Sequence, residues 1–186
     1  MIKDDDGRVI NDTVEFLGYQ INNDALISYV TGLAFIVISV MSPLLGGVVD
    51  YVGNKKSFMK LFNYIGATAC IGLFWFSLED LWFGLTCYFF GLIGFWGSIV
   101  FYNSYLPDIA FRDQQDQASA KGFSLGYIGS VILLIICLIM IFFYDVFGFE
   151  SESLPTRISF ILTGIWWIDC SQYTYAYLPE GRRKGH

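Results

Sequence analysis

Five long apolar runs, each of about 20 residues or more, cover most of this chain. A helix of about 20 apolar residues crosses a hydrocarbon core of about 30 Å, so each run is long enough to span a bilayer. Only 15% of the 186 residues are charged, which is too few to give a soluble protein with five such helices a polar surface. The sequence therefore predicts an all-α polytopic membrane protein with spans at about 26–49, 58–78, 81–103, 123–147 and 158–178.

Basic residues are distributed unequally between the two sides that these spans define. Eight of the 11 Lys and Arg residues fall on one side, namely Lys55, Lys56, Lys60, Arg112, Lys121, Arg182, Arg183 and Lys184. Because basic loops are retained in the cytoplasm, the first inter-span loop and the basic tail 179–186 are predicted to be cytoplasmic. Residues 1–25 then form an acidic non-cytoplasmic tail or loop. The net charge of −6 comes largely from that outer side and indicates no nucleic-acid partner.

The acidic segment has no apolar core of the kind found in signal peptides. Two explanations are open for how it reaches the outer side. Either the first span inserts on loop charge alone, or a helix precedes the segment in the complete protein. The sequence favours the second explanation because of the loop pattern described below.

Residues suited to catalysis or metal binding are scarce. The four cysteines fall inside the predicted spans without a C-x-x-C pair, and His186 is the only histidine. A metal site needs clustered ligands, and no nucleotide-binding or hydrolase motif is present. The sequence therefore predicts no metal, no cofactor and no enzymatic activity.

The loop GGVVDYVGNKK carries the pattern G-x-x-x-D-x-x-G-x-[RK], formed by Gly46, Asp50, Gly53 and Lys55. Glycines permit close helix approach, and Asp50 can oppose the positive N-terminus of a neighbouring helix. Lys55 and Lys56 can reach carboxylates or carbonyls on the cytoplasmic face. The pattern resembles the signature loop between the second and third helices of major facilitator superfamily transporters. It departs from that family pattern at Tyr51 and Asn54, where basic residues are usual.

Three stretches narrow this resemblance to the vacuole-effluxer-like branch, which comprises fungal autophagy-related amino-acid exporters and bacterial relatives. They are SPLLGGVVDYVGNKKSFMKLF, FYNSYLPDIA and SAKGFSLGYIG, and the resemblance extends from Phe16 to Pro179. It implies that the five spans are helices two to six of a transporter's amino-terminal half, lacking helix one. The acidic segment is then the loop after helix one.

The resemblance also implies a function. The parent protein would lie in the plasma membrane if bacterial or in the vacuolar membrane if fungal. It would move a small solute, with amino acids as the candidate class, by alternating access between two halves. This chain is expected to be an inactive fragment that needs the remaining half as its partner. The alternative is a small non-transporting membrane scaffold or assembly protein.

Several intramembrane residues have a structural and a functional interpretation. Gly122, Gly126 and Ser130, spaced four apart, indicate close helix packing or a moving gate. Gly91, Gly94 and Gly97 are interpreted in the same way. Helices corresponding to the third span line the central cavity in the superfamily. Its residues Trp96, Tyr102 and Asn103 are therefore candidates for the solute pathway, with ordinary helix contacts and an interfacial aromatic belt as the alternative.

Asp169 lies about midway along the last predicted span, where a carboxylate is costly and suggests function. It could carry a proton for coupled transport. It could instead be a neutral acid hydrogen-bonded to Gln172, three residues further on, or a tolerated variation. The sequence leaves these alternatives open.

Overall fold

The computed structural model describes residues 2–3, 9–11, 13–16, 18–52, 54–77 and 80–179, with side chains for 13, 18–22, 24–47, 54–77 and 80–179. Helices make up most of this part of the chain. They are α1 (Asn23–Val52), α2 (Lys55–Gly72), α3 (Leu81–Ser104), the short α4 (Leu106–Ile109), α5 (Gln115–Phe142) and α6 (Ser153–Tyr177). The predicted all-α polytopic class is confirmed.

Four helical segments of the described chain are long and apolar enough to cross a membrane. They are Asp24–Gly47, Lys55–Trp75, Leu81–Ile109 and Gln115–Phe142. Helix α6 has 25 residues, which is sufficient length, but polar residues along it make its composition less apolar. Its crossing of the membrane therefore stays a prediction.

Two pairs of short antiparallel strands precede α1. Strands β1 (Ile2–Lys3) and β2 (Val9–Asn11) form one pair, and β3 (Thr13–Phe16) and β4 (Tyr19–Asn22) form the other. In the β3–β4 hairpin, Val14 pairs with Ile21 and Phe16 pairs with Tyr19. Gly18 lies in the turn with φ of 80°, a conformation that glycine adopts without a steric penalty. The sequence prediction gave this region only as an acidic tail or loop.

Local side-chain contacts define where the helices begin and end. Asn54 accepts a hydrogen bond from the Ser57 backbone N–H at 3.4 Å and caps α2. Asp80 caps α3 by accepting from the Phe83 backbone N–H, also at 3.4 Å.

Helix α5 begins earlier than the apolar run predicted at 123–147, because the polar residues from Gln115 onwards are helical as well. It ends earlier because residues 143–148 form turns that close at Gly148, whose φ is 80°.

Helix α2 lies at the centre of the bundle, between α3 and α6, while α1 packs on α3. The buried core contains Phe101, which is fully buried and stacks on Phe58 and Phe62 with ring centroids 5.6 Å away in both cases. Helix α5 contacts only the edge of the described bundle, through α6, α4 and Tyr102 near the end of α3. Most of its large apolar side chains are exposed, as expected for a helix that faces lipid or further protein.

Candidate functional site

The signature loop joins the end of α1 to the start of α2. Gly46 and Asp50 lie in the last turns of α1, and Lys55 is the first residue of α2. A Cβ added at Gly46 would meet nothing within 4 Å, so no close approach within this chain requires that glycine. Gly53 and the side chain of Asp50 lie outside the described residues.

Lys55 connects this loop to the end of α3. Its Nζ donates to Asp108 Oδ2 at 2.7 Å and to the Ser104 backbone carbonyl at 2.9 Å. It also lies 5.6 Å from the centre of the Tyr105 ring, whose side chain is buried. A cation at a helix C-terminus compensates the partial negative charge of the terminal carbonyls, so Lys55 stabilises the end of α3.

Lys56 makes the corresponding contact at the end of α6. Its Nζ donates to the Leu178 carbonyl at 3.0 Å, directly after the last turn of that helix. Two adjacent lysines thus attach the start of α2 to the C-terminal ends of two different helices. These are contacts of the kind predicted from the sequence, to a carboxylate and to carbonyls. They also place three of the predicted cytoplasmic helix ends at one end of the bundle.

Glycines bring α2 and α3 into backbone contact. A Cβ at Gly94 would collide with the backbone of Gly66 and lie 2.7 Å from the Phe62 carbonyl oxygen. A Cβ at Gly97 would meet the Phe62 ring, whereas one at Gly91 would meet nothing within 4 Å. Of the three glycines predicted for packing on this helix, two therefore lie at the crossing of α2 and α3.

A polar cluster joins α2 to α6 near the same crossing. Asn63 accepts a hydrogen bond from Trp167 Nε1 at 3.2 Å and donates to the Tyr175 hydroxyl. The Trp167 ring also occupies the space that a Cβ on Gly66 would need. The sequence prediction missed Asn63, because a single amide in an apolar span has no spacing that identifies its partner. Its position inside a span was the only available signal.

The three pathway candidates occupy different environments. Trp96 is 36% exposed and packs against Phe35 of α1, with ring centroids 5.6 Å apart. Tyr102 contacts α5, where its hydroxyl occupies the space of a Cβ on Gly122. Asn103 is exposed, and its side chain makes no hydrogen bond within the described chain. Trp96 and Asn103 are seven residues apart and share a face of α3, while Tyr102 lies in a helix contact.

The small residues of α5 also differ in what they contact. Gly122 makes the close contact with Tyr102, but a Cβ at Gly126 would meet nothing within 4 Å. Ser130 is exposed, and its hydroxyl donates to the Gly126 carbonyl at 2.8 Å on the same helix. A Cβ on Gly126 would thus reach no other helix of the described bundle, and the Ser130 hydroxyl bonds within α5, so the role of both residues in packing stays a prediction.

Asp169 is exposed on α6. Its carboxylate has no hydrogen bond or ion pair among residues 54–77 and 80–179 or the other described segments. Gln172 instead donates from Nε2 to the Tyr64 hydroxyl at 2.8 Å. The Asp169–Gln172 hydrogen bond, one of the alternatives that the sequence left open, is not formed in the described structure, where the Gln172 amide bonds to Tyr64 of α2. Proton transport by Asp169 remains a prediction.

The family model described as "Vacuole effluxer Atg22 like" matches residues 3–186. The chain belongs to this family. The Uncharacterized MFS-type transporter YxiO of Bacillus subtilis (strain 168) is 33% identical over 149 residues, which cover 77% of this chain and 34% of the relative. Autophagy-related protein 22-2 of Neosartorya fischeri is 22% identical over 230 residues, which cover 90% of this chain and 37% of the relative.

Membership of the Atg22-like family confirms the resemblance found in the three sequence stretches. The chain is therefore an integral membrane protein of a major facilitator-type transporter family. It spans about a third of the length of the curated relatives it matches. No solved structure matches it.

Proposed function

We propose that the chain forms helices two to six of a secondary-active transporter that moves a small solute by alternating access. Amino acids are the candidate class, because the sequence resembles autophagy-related amino-acid exporters. The chain spans only about a third of its relatives' length, which supports the idea that further helices complete the transporter. The exposed apolar side chains of α5 support it as well, since they could pack against such helices.

The pair of contacts made by Lys55 and Lys56 is the observation that carries this proposal. Alternating access requires each half to move largely as a rigid body against the other. By binding the ends of α3 and α6, the two lysines hold three helices together at one end of the bundle. This end is proposed to face the cytoplasm, where the signature loop stabilises the closed position.

Asp50 is proposed to act across the boundary between the halves. Lys55 is already paired with Asp108 in this chain. The Asp50 carboxylate is proposed to oppose a helix N-terminus supplied by the remaining half, an interaction typically worth about 0.3–1 kcal/mol. In this role Asp50 changes the balance between conformations and does not contact the solute.

The solute pathway is proposed to follow the face of α3 that carries Trp96 and Asn103. An exposed indole and an exposed carboxamide offer an apolar surface and hydrogen bonds to a small zwitterionic solute. Tyr102 supports this face from the side through its contact with Gly122. These residues are expected to affect solute affinity, in contrast to Asp50.

The test uses the complete transporter in proteoliposomes, with uptake of radiolabelled amino acids as the measurement. Asp50→Asn should change the maximal rate, or the ratio of inward-facing to outward-facing protein, with little change in the half-saturating concentration. Asp24→Asn at the opposite end of α1 is the matched control and should leave both quantities unchanged. A large rise in half-saturating concentration with an unchanged conformational ratio would place Asp50 in the binding site. No amino-acid flux in the unmodified protein would contradict the substrate class.

A further inference from the structure

Trp167 belongs to α6, but its ring contacts two other helices. A Cβ on Gly66 of α2 would overlap this ring, so the missing side chain leaves a notch in α2 that the indole fills. The indole also meets Phe95 of α3 edge to face, with ring centroids 6.0 Å apart and planes at 74°. Because α2 lies between α3 and α6, Trp167 reaches past the central helix and connects α6 directly to α3.

Asn63 holds the Trp167 indole in one orientation. The indole N–H donates to Asn63 Oδ1 at 3.2 Å, and Asn63 Nδ2 donates to the hydroxyl of the buried Tyr175. Since an indole N–H can only donate, the amide oxygen must face Trp167 and the amide nitrogen must face Tyr175. Asn63 lies near the middle of a segment able to cross the bilayer, where water does not replace a lost partner. Rotation of the indole would therefore leave a polar group unpaired in an apolar environment.

The ring contacts continue from Phe95 to a residue assigned to the solute pathway. Phe95 and Trp96 are neighbours on α3, with edge-to-face rings whose centroids lie 5.5 Å apart. Trp96 in turn contacts Phe35 of α1 at 5.6 Å. In the edge-to-face arrangement the positive edge of one ring meets the negative face of the other, so each ring restricts the next. Because Trp96 is partly exposed, its orientation depends on the rings that it contacts.

We propose that Trp167 is a positioning residue for the solute pathway. Oriented by Asn63, it holds the Phe95 ring and, through Phe95, sets the orientation of the Trp96 indole. This role rests on the proposed function, in which Trp96 contacts the solute. Trp167 acts without contacting the solute, and loss of its ring changes the shape of the surface that Trp96 presents.

The first experiment measures the orientation of Trp96 without transport. The full chain is produced with fluorinated tryptophan, which gives one fluorine NMR resonance for each of its five tryptophans. The Trp96 resonance is assigned by its loss in Trp96→Phe. Trp167→Leu should shift this resonance by more than its linewidth. Trp166→Leu is the matched control and should leave the resonance in place, because Trp166 approaches Gly129 of α5 instead.

Two further variants separate a contact through Phe95 from a general loosening of the helices. In a Phe95→Leu background, Trp167→Leu should change the Trp96 resonance no further, since the intermediate ring is already absent. Asn63→Leu frees the indole and should shift the Trp96 resonance in the same direction as Trp167→Leu. If Trp167→Leu does not fold, Asn63→Leu decides in its place. An unmoved Trp96 resonance, or an equal shift in Trp166→Leu, would overturn the proposal.

The second experiment links the orientation of Trp96 to the solute, by uptake of radiolabelled amino acids into proteoliposomes that contain the complete transporter. Trp167→Leu should raise the half-saturating concentration several-fold at an unchanged maximal rate, whereas Trp166→Leu should change neither quantity. A lower maximal rate at an unchanged half-saturating concentration would indicate only a loss of folded protein and would overturn the proposal. A shifted Trp96 resonance with both quantities unchanged would establish the contact but place Trp96 outside the pathway, which contradicts the proposed function.

Discussion

The crossing of α2 and α3 yields a quantitative prediction for Gly94→Ala. The added Cβ would collide with the Gly66 backbone and lie 2.7 Å from the Phe62 carbonyl oxygen. Backbone atoms cannot rotate out of the way as a side chain can, so the two helices must move apart. Overpacking of this kind typically costs about 1–3 kcal/mol, and contact with backbone favours the upper part of that range.

Gly91→Ala is the matched control for this substitution. It lies one turn away on the same helix, and its Cβ would meet nothing within 4 Å. Alanine favours helix over glycine by about 1 kcal/mol at either position, so this contribution cancels in the comparison. The difference in unfolding free energy between the two variants therefore isolates the collision and should be about 2–3 kcal/mol.

The assay is reversible unfolding of the purified chain in mixed micelles, followed by circular dichroism as the fraction of denaturing detergent rises. Gly94→Ala should unfold at a lower detergent fraction than the unmodified chain, and Gly91→Ala should unfold at the same or a higher fraction. Equal stabilities of the two variants would refute the close crossing of α2 and α3. Greater destabilisation by Gly91→Ala would mean that α3 packs on α2 around Gly91 and not around Gly94.

Two further predictions concern the end of the bundle where the signature loop lies. After the native cysteines are replaced, a cysteine at position 54 in place of Asn54 should react with a membrane-impermeant thiol reagent only from the cytoplasm. A cysteine in place of Gly7 should react only from outside, and the reverse labelling would overturn the predicted orientation. Lys55→Met should lower the unfolding free energy by about 1–2 kcal/mol, because it removes two charge-assisted hydrogen bonds from a partly exposed pair. Lys121→Met, which removes an exposed charge of α5, should change the unfolding free energy by less than about 0.5 kcal/mol. Equal changes in unfolding free energy for the two variants would contradict a stabilising role for Lys55.

The sequence was sufficient to predict the class of fold, because long apolar runs have few alternatives to membrane helices. It was less informative where polarity and helix propensity disagree. The polar residues from Gln115 onwards lie outside the apolar run but continue α5 as helix. The β3–β4 hairpin was missed because its four-residue strands, joined at Gly18, are shorter than the window over which apolar periodicity is evident.

The candidate site was predictable in its chemistry but not in its partners. The sequence indicated that Lys55 and Lys56 reach carboxylates or carbonyls, but which ones depends on how distant helix ends meet. Spacing also could not distinguish Gly94, which lies at a helix crossing, from Gly91, which does not. The pairing of Gln172 with Tyr64 illustrates the same limit, because a nearer partner in sequence was available at Asp169.

Solute flux through the isolated 186-residue chain tests the central claim most directly. Alternating access places the solute between two halves, and this chain is proposed to supply part of one. Reconstituted alone, it should insert into liposomes but give no saturable uptake of any amino acid, whereas the complete protein should give saturable uptake under the same conditions. Saturable transport by the isolated chain would contradict the account, and would instead identify a small carrier that functions as an oligomer.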